Sequence, residues 1–351
     1  MLNTALQIHI PYMREKSTFS SKKISKHRNT KNLTTSKKSP NKNGNRKADE
    51  IFSNQEIKQD LQSFYDNEAK KYAETRKKFW HEEKAILDAI TPLFGNVISN
   101  ECEKSTGQME CDTHMDPHAS FHSAQDENTH MDSSAKASEW QFRKLRVLEF
   151  GCWSGRFATL LNQQFPGQFD YVWIDLSDEL LSYAGQDNPN LTFFQWDITK
   201  LIKIFEQESF DLIIWTSSFQ HIPTNKERSF LMKNFYRLLC YDGMLLMTNR
   251  SMSSWFIKKN RKAVLKARIL SWIKFDSWSA RDLLVPRTDN EWKVYQRFYH
   301  FFSLKELEKL TTFAGLTVKT NTFIDGDGNF ADNEKTSRSS LLVATKSPII
   351  N

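Results

Sequence analysis

Leu145–Leu161, LRVLEFGCWSGRFATLL, decides how the rest of the chain is read. The branched and aromatic apolar residues between Arg146 and Phe150 suit a buried parallel strand. Gly151 breaks it, and a helical run starts near Arg156. A strand, a glycine turn and a helix in that order bring a ligand to the strand's end, where the helix N-terminus leaves backbone N–H groups unpaired.

Glycine spacing separates the ligand classes. A dinucleotide site places glycines at the first, third and sixth positions of such a turn, but here Trp153 and Arg156 occupy the third and sixth, so a nicotinamide reading fails. S-adenosylmethionine carries a cationic sulfonium and a zwitterionic methionine end. It favours a carboxylate beside the turn, and Glu149 supplies one.

The chain has 351 residues, long enough for roughly two domains, but its composition argues for one. Residues 1–48 hold almost no core-forming pattern, and Asn100–Ser138 is a second polar stretch, so both are expected to be disordered. The foldable remainder is one domain over residues 50–346, interrupted by the insertion at 100–138. Arg14–Lys47 contains twelve Lys or Arg against one acid, a net +11 where the whole chain carries +7. Such a tail reads as a solvated arm, with an RNA-attracting arm or an organelle presequence as alternatives.

The start, MLNTALQIHIPYM, lacks the pattern of a secretory signal, and no run of about 18 apolar residues suggests a membrane span. Cys102, Cys111, Cys152 and Cys240 are scattered without paired spacing. Reduced thiols and a cytoplasmic location are therefore expected, with mitochondrion or nucleus left open by the basic tail. Cys102, Cys111, His114, His118, His122 and His130 match no zinc spacing, so no metal site is expected.

Helices are expected over Glu50–Lys78 and Trp80–Ile90, the second stopped by Pro92 and Gly95. From Leu145 strands and helices alternate, as in a mostly parallel sheet covered on both faces. Strands are expected at Leu145–Phe150, Asp170–Ile174, Leu191–Gln195, Asp211–Thr216, Gly243–Thr248, Leu316–Phe323 and Leu341–Thr345. The last two enclose a loop without a crossover helix and should pair antiparallel.

Three acids stand at three successive strand ends. Glu149 is the first. Asp175, 20 residues after Gly155, sits where an acid grips ribose hydroxyls. Asp197 suits the adenine amino group, with Trp196 and Ile198 around the ring. Gly151, Cys152, Trp153, Gly155, Leu176 and Thr216 complete the expected cofactor contacts. Each acid alone also reads as an ordinary strand-end turn residue.

On these residues the sequence resembles the class I S-adenosylmethionine-dependent methyltransferases, from about Phe64 to Lys346 without the insertion. The resemblance implies a Rossmann-like seven-stranded sheet with the last strand antiparallel, and cofactor across the ends of strands one to three. Trp153 departs from the glycine usual in the turn, which implies an altered turn that still binds.

A narrower resemblance rests on FYDNEAKKYAETRKKFW (64–80), SSFQHIP (217–223), RDLLVP (281–286) and RFYHFFSLKELEKL (297–310). These motifs are similar to those of tRNA wobble-uridine methyltransferases, which esterify a carboxymethyl group. Thr75, Arg76 and Trp80 match that family's leading helix. His221 matches the second of its paired histidines, with Gln220 replacing the first, and Arg297, Tyr299 and His300 match its later motif. Arg287 departs from the tryptophan usual after the Val-Pro pair. The resemblance implies a small zinc-binding activator subunit, although no residue here requires one.

A carboxylate acceptor is already ionised and needs alignment more than a base. Cations to hold it are expected from Arg76, Arg287, Arg297, His221 and His300, with Arg76, His221, Arg297 and His300 as the catalytic set.

Ser251–Trp278 interleaves eight nearby Lys or Arg with Trp255, Phe256, Trp272, Phe275 and Trp278. This suits tRNA through phosphate neutralisation and base stacking. An amphipathic helix with a solvated basic face, or one lying on an anionic membrane, fits the same pattern. The functional expectation is thus a tRNA methyltransferase, with a small-molecule O- or N-methyltransferase and a non-catalytic cofactor-fold protein as alternatives.

Overall fold

The computed structural model describes residues 54–75, 81–106, 144–188, 191, 193–195, 197, 205–273, 278–289 and 291–347, with backbone only for 95–106. The expected basic tail, residues 107–138 of the expected insertion with Cys111 and its His residues, Arg76, Trp80, Trp196, Ile198 and Phe275 lie outside them.

Two helices come first, α1 (Asn54–Thr75) and α2 (Glu83–Thr106). The α/β unit then runs β1 (Leu145–Phe150), α3 (Arg156–Gln164), β2 (Phe169–Asp175), α4 (Asp178–Asp187), β3 (Phe193–Gln195), β4 (Phe210–Thr216), α5 (Asn225–Leu238) and β5 (Leu239–Arg250). After it come α6 (Ser254–Lys259), α7 (Arg261–Ile273), β6 (Asp282–Thr288), β7 (Val294–His300), α8 (Leu304–Phe313), β8 (Thr317–Ile324), the short β9 (Phe330–Ala331) and β10 (Ser339–Thr345).

The main sheet has the order β3-β2-β1-β4-β5-β10-β8-β9. β1 pairs parallel with β2 and β4, and β10 pairs antiparallel with both β5 and β8. This is the class I methyltransferase architecture, an α/β Rossmann-like sheet with the final long strand reversed. The order turns back beside β1, so the ends of β1, β2 and β4 open onto one crevice, where open α/β sheets bind ligands.

Apolar side chains cover both faces. Leu231, Met232, Phe235 and Leu238 of α5 and Leu307 and Leu310 of α8 pack on one, and Ile86, Ile90 and Phe94 of α2 with Phe157 and Leu161 of α3 pack on the other. Ser177, Thr224 and Ser303 cap α4, α5 and α8, each accepting a backbone N–H of the first turn. α1 lays Phe64, Tyr65 and Ala69 against Leu180 and Tyr295, so it lies across the crevice.

Two expectations are corrected. α2 does not stop at Pro92 and Gly95 but continues as backbone to Thr106, into the polar stretch. Proline forfeits one helical hydrogen bond, while Ile86, Ile90 and Phe94 anchor the helix on the sheet. Secondly, RDLLVP and RFYH form an additional antiparallel hairpin, β6 with β7. β6 tolerates Pro286 because that residue is exposed and β6 pairs with β7 alone among the described strands.

Candidate active site

The turn after β1 is built from left-handed backbone: Gly151 has φ 66°, Trp153 φ 56° and Gly155 φ 74°. A Cβ at Gly151 would lie 2.2 Å from Ser218 Oγ, so the loop after β4 closes directly on this turn. Only glycine leaves that space. The backbone N–H of Trp153 donates to Asp175 Oδ2 at 2.9 Å, and Ser177 N–H donates to Oδ1 at 2.9 Å.

Two cavities flank the turn. The first, about 100 Å³, is lined by Asp175, Leu176, Asp197, Ile174, Trp215 and His221 under Lys58 and Tyr65 of α1. Burial pushes the Asp175 carboxyl up to about 6, against the pull of the Ser177 and Trp153 amides. Asp197 lies 3.6 Å from Lys58 Nζ, which also holds Glu227 at 2.8 Å.

The second, about 200 Å³, holds Glu149, Cys152, Thr216, Glu82, Tyr72 and Tyr299 together with Arg156, Arg250, Arg287, Arg297 and Arg338. Glu149, 1% exposed, accepts from the Tyr171 hydroxyl at 3.3 Å, and burial pushes its carboxyl up to about 8. Burial likewise raises the Cys152 thiol, which keeps it protonated. The buried Glu82 accepts from Thr248 Oγ1 at 3.2 Å and Ser217 Oγ at 3.3 Å.

Arg297 is 4% exposed and donates to Tyr65 and Tyr72 hydroxyls at 2.8 and 3.1 Å. Its guanidinium also lies 4.9 Å from the Phe64 ring centre and 5.1 Å from that of Tyr299, while its Nε is buried without a partner. Among the described residues its hydrogen-bond partners are phenols, and no carboxylate pairs with it. A buried cation held only by neutral groups favours an incoming anion.

Two members of the expected catalytic set change role. His221 is not a cation: burial, followed by the charge of Arg297, pushes its imidazole down to about 3. Its Nδ1 donates to the Phe298 carbonyl at 2.6 Å, leaving Nε2 as a buried acceptor with no partner among the described residues, and the ring borders the first cavity. His300 lines neither cavity. Its Nδ1 meets Asp282 at 2.5 Å and its Nε2 meets Glu306 at 2.7 Å, so it clasps β6, β7 and α8 together.

Arg287 and Arg297 do reach the second cavity, and Gly151 and Trp153 border both. Gly155 instead packs between helices, where a Cβ would come within 3.1 Å of Ala184 and Asn188. Glu82, Arg156, Arg338, Tyr65 and Tyr72 are not among the site residues expected from the sequence. In α6 and α7, Trp255 and Trp272 are 60% and 88% exposed and Phe256 is buried.

Residues 147–243 match the methyltransferase domain family. These residues form a methyltransferase domain. The residues present fit S-adenosylmethionine, the cofactor that the sequence resemblance implies. The Gly151 turn keeps backbone space that a Cβ would fill, Asp175 and Asp197 offer acceptors in one cavity, and Glu149 offers one in the other. No curated relative matches the methyltransferase.

Among solved structures, an S-adenosylmethionine-dependent methyltransferase from Methanosarcina mazei is 20% identical, covering 60% of this chain and 97% of that one at a TM-score of 0.46. One from Clostridium acetobutylicum is 16% identical over 58% of this chain and 84% of that one, TM-score 0.41. A Haloferax volcanii methyltransferase in complex with the Trm112 activator is 16% identical over 62% and 89%, TM-score 0.40. No described helix is long and apolar enough to cross a membrane.

Proposed function

We propose that the methyltransferase esterifies a carboxylate, the carboxymethyl group of a wobble uridine in tRNA. The observation that carries the acceptor chemistry is Arg297, a buried guanidinium without an acid partner among the described residues, in a cavity shared with four other arginines. Bound S-adenosylmethionine supplies an electrophilic methyl group. The chain's own residues hold and desolvate the acceptor oxygen that meets it.

Arg297 and Arg287 neutralise the acceptor, and Tyr65 and Tyr72 keep the Arg297 fork in place. No general base is called for, since the carboxylate is already ionised. The neutral His221 is consistent with this: its Nε2 orients a donor group and does not neutralise charge. Support for tRNA comes from the exposed Lys258, Lys259, Arg261 and Lys262, with Trp255 under Lys259 and Trp272 exposed further along α7. It also comes from the motifs shared with the wobble-uridine family.

The second reading is methylation of a small free carboxylic acid. It is favoured by Gln220, bound to the Ser217 carbonyl at 3.0 Å in place of the first paired histidine, and by the burial of Phe256. Mass spectrometry of tRNA nucleosides from cells lacking the protein tests the main reading. Loss of a methyl ester at the wobble position is expected, and an unchanged nucleoside profile would refute it.

A further inference from the structure

Among the described residues, Gly151 and Trp153 are the two that line both cavities. The nucleoside acceptors Asp175 and Asp197 stand on one side of that junction, and Glu149, the acid suited to the methionine end, stands on the other. A cofactor that fills both therefore passes the junction at the sulfur joining its two halves. Gly151 offers only backbone there, so the side chain at this point is the Trp153 indole.

Trp153 holds a left-handed backbone, φ 56°, that a glycine adopts without strain. Its half-buried ring is set by Tyr72, with centroids 5.7 Å apart at 72°, and by Tyr65, 6.2 Å apart at 39°. Both tyrosines come from α1, so the helix lying across the crevice fixes the indole's orientation.

We propose that Trp153 is a specificity-determining residue that reads the positive charge of the cofactor's sulfonium through its π face, so that the methyl donor binds in preference to the spent, neutral thioether. Aromatic rings attract cations at close range, and indole does so most strongly. Of the two acids beside the junction, Glu149 is held protonated near neutral pH by burial and Asp175 is already engaged by the Trp153 and Ser177 backbone N–H groups at 2.9 Å each, so the ring adds a counterpart to that charge. A product that has lost the charge loses the attraction, which favours its release.

The test is calorimetric titration of the full chain with S-adenosylmethionine and, separately, S-adenosylhomocysteine. It needs no acceptor, so its outcome is independent of the acceptor proposed above. Trp153→Phe should keep most of the preference for the donor. Trp153→Leu, which retains bulk without a π face, should weaken donor binding by about two- to thirtyfold and leave thioether binding within about twofold. Trp153→Gly suits the turn, should melt no lower than the parent, and should show the same loss of preference. Equal weakening of both ligands in the Leu variant would overturn the proposal. So would a Gly variant that keeps the parent's preference.

Discussion

Asp175 Oδ2 lies 2.9 Å from the backbone nitrogen of Trp153, so the acid that ends β2 also fixes the turn that follows β1. One carboxylate thus shapes the cofactor turn and faces the cavity beside it. Asp175→Ala should weaken S-adenosylmethionine binding by ~1.5–3 kcal/mol, the worth of a charged hydrogen bond. Because burial raises this carboxyl to about 6, the parent's affinity should fall as pH drops from 7 to 5. Asp175→Asn should show no such slope. Calorimetry across that range reads both effects, and a flat parent profile would contradict the assignment.

Glu149 gives a stability signature of opposite sign to that of a salt-bridged acid. Its folded-state value is raised from the ordinary 4.5 to about 8. Between those values the unfolded chain is ionised and the native one holds its proton, so stability falls as pH rises through that window. Glu149→Gln should abolish the slope and melt higher than the parent at pH 7.5, by on the order of 1–3 kcal/mol. Donor binding should run the other way in the parent, strengthening from pH 6.5 to 8.5 as the cationic methionine end favours the ionised acid. Parallel melting profiles for the two proteins would count against the buried, protonated state.

The strand, turn and helix around Gly151 were legible because a continuous apolar run, a glycine and an amphipathic run are local signals. So were Asp175 and Asp197, whose positions follow from where strands end. The loop between β8 and β10 likewise announced an antiparallel pair by lacking a crossover helix. His300 was not legible, because its partners Asp282 and Glu306 become neighbours only when β6 pairs with β7 and α8 folds back. The neutrality of His221 was equally hidden, since it follows from burial beside Arg297 and not from any spacing. Glu82 and Arg338 reach the second cavity from the turn before α2 and from the loop before β10, far apart in sequence, so no motif could join them.

His300→Ala tests the clasp. Removing the ring leaves the buried Asp282 and the nearby Glu306 without their shared partner, at a cost of about 2–4 kcal/mol. Burial works to raise the Glu306 carboxyl, but the hydrogen bond and charge of His300 outweigh it and hold the acid below its ordinary value. That contribution is present above the ordinary carboxylate range and is lost as pH falls through the lower folded value, so the parent's melting temperature should drop in acid more steeply than the variant's. Cofactor affinity should be unchanged. A variant that melts like the parent but loses acceptor binding would return His300 to the catalytic set.

Arg297 should trade stability for function. A buried guanidinium held by two phenols is costly, so Arg297→Met should melt at or above the parent's temperature. The same change should reduce kcat/KM for a carboxylate acceptor by roughly 2–3 kcal/mol of transition-state stabilisation, with donor affinity preserved. Arg297→Lys should recover only part, because an ammonium cannot reproduce the planar fork. Parent-like turnover by the Met variant would remove Arg297 from the acceptor site.

The macromolecular acceptor is decided by salt. Lys258, Lys259, Arg261 and Lys262 are exposed where α6 meets α7, Trp255 stands open beside Lys259, and Trp272 is exposed at the far end of α7. If these cations neutralise tRNA phosphates, binding should weaken steeply with ionic strength as counterions return to the nucleic acid. Neutralising all four should reduce the slope of log K against log salt by about three to four units, while binding of S-adenosylmethionine stays as in the parent. Trp255→Ala and Trp272→Ala should instead lower affinity without changing the slope, since stacking releases no ions. A small carboxylic acid touches none of these side chains, and its turnover should respond far less to salt or to the quadruple change. A tRNA affinity that ignores salt, or a quadruple variant with the parent's slope, would refute docking through α6 and α7 and leave the small-acid reading in its place.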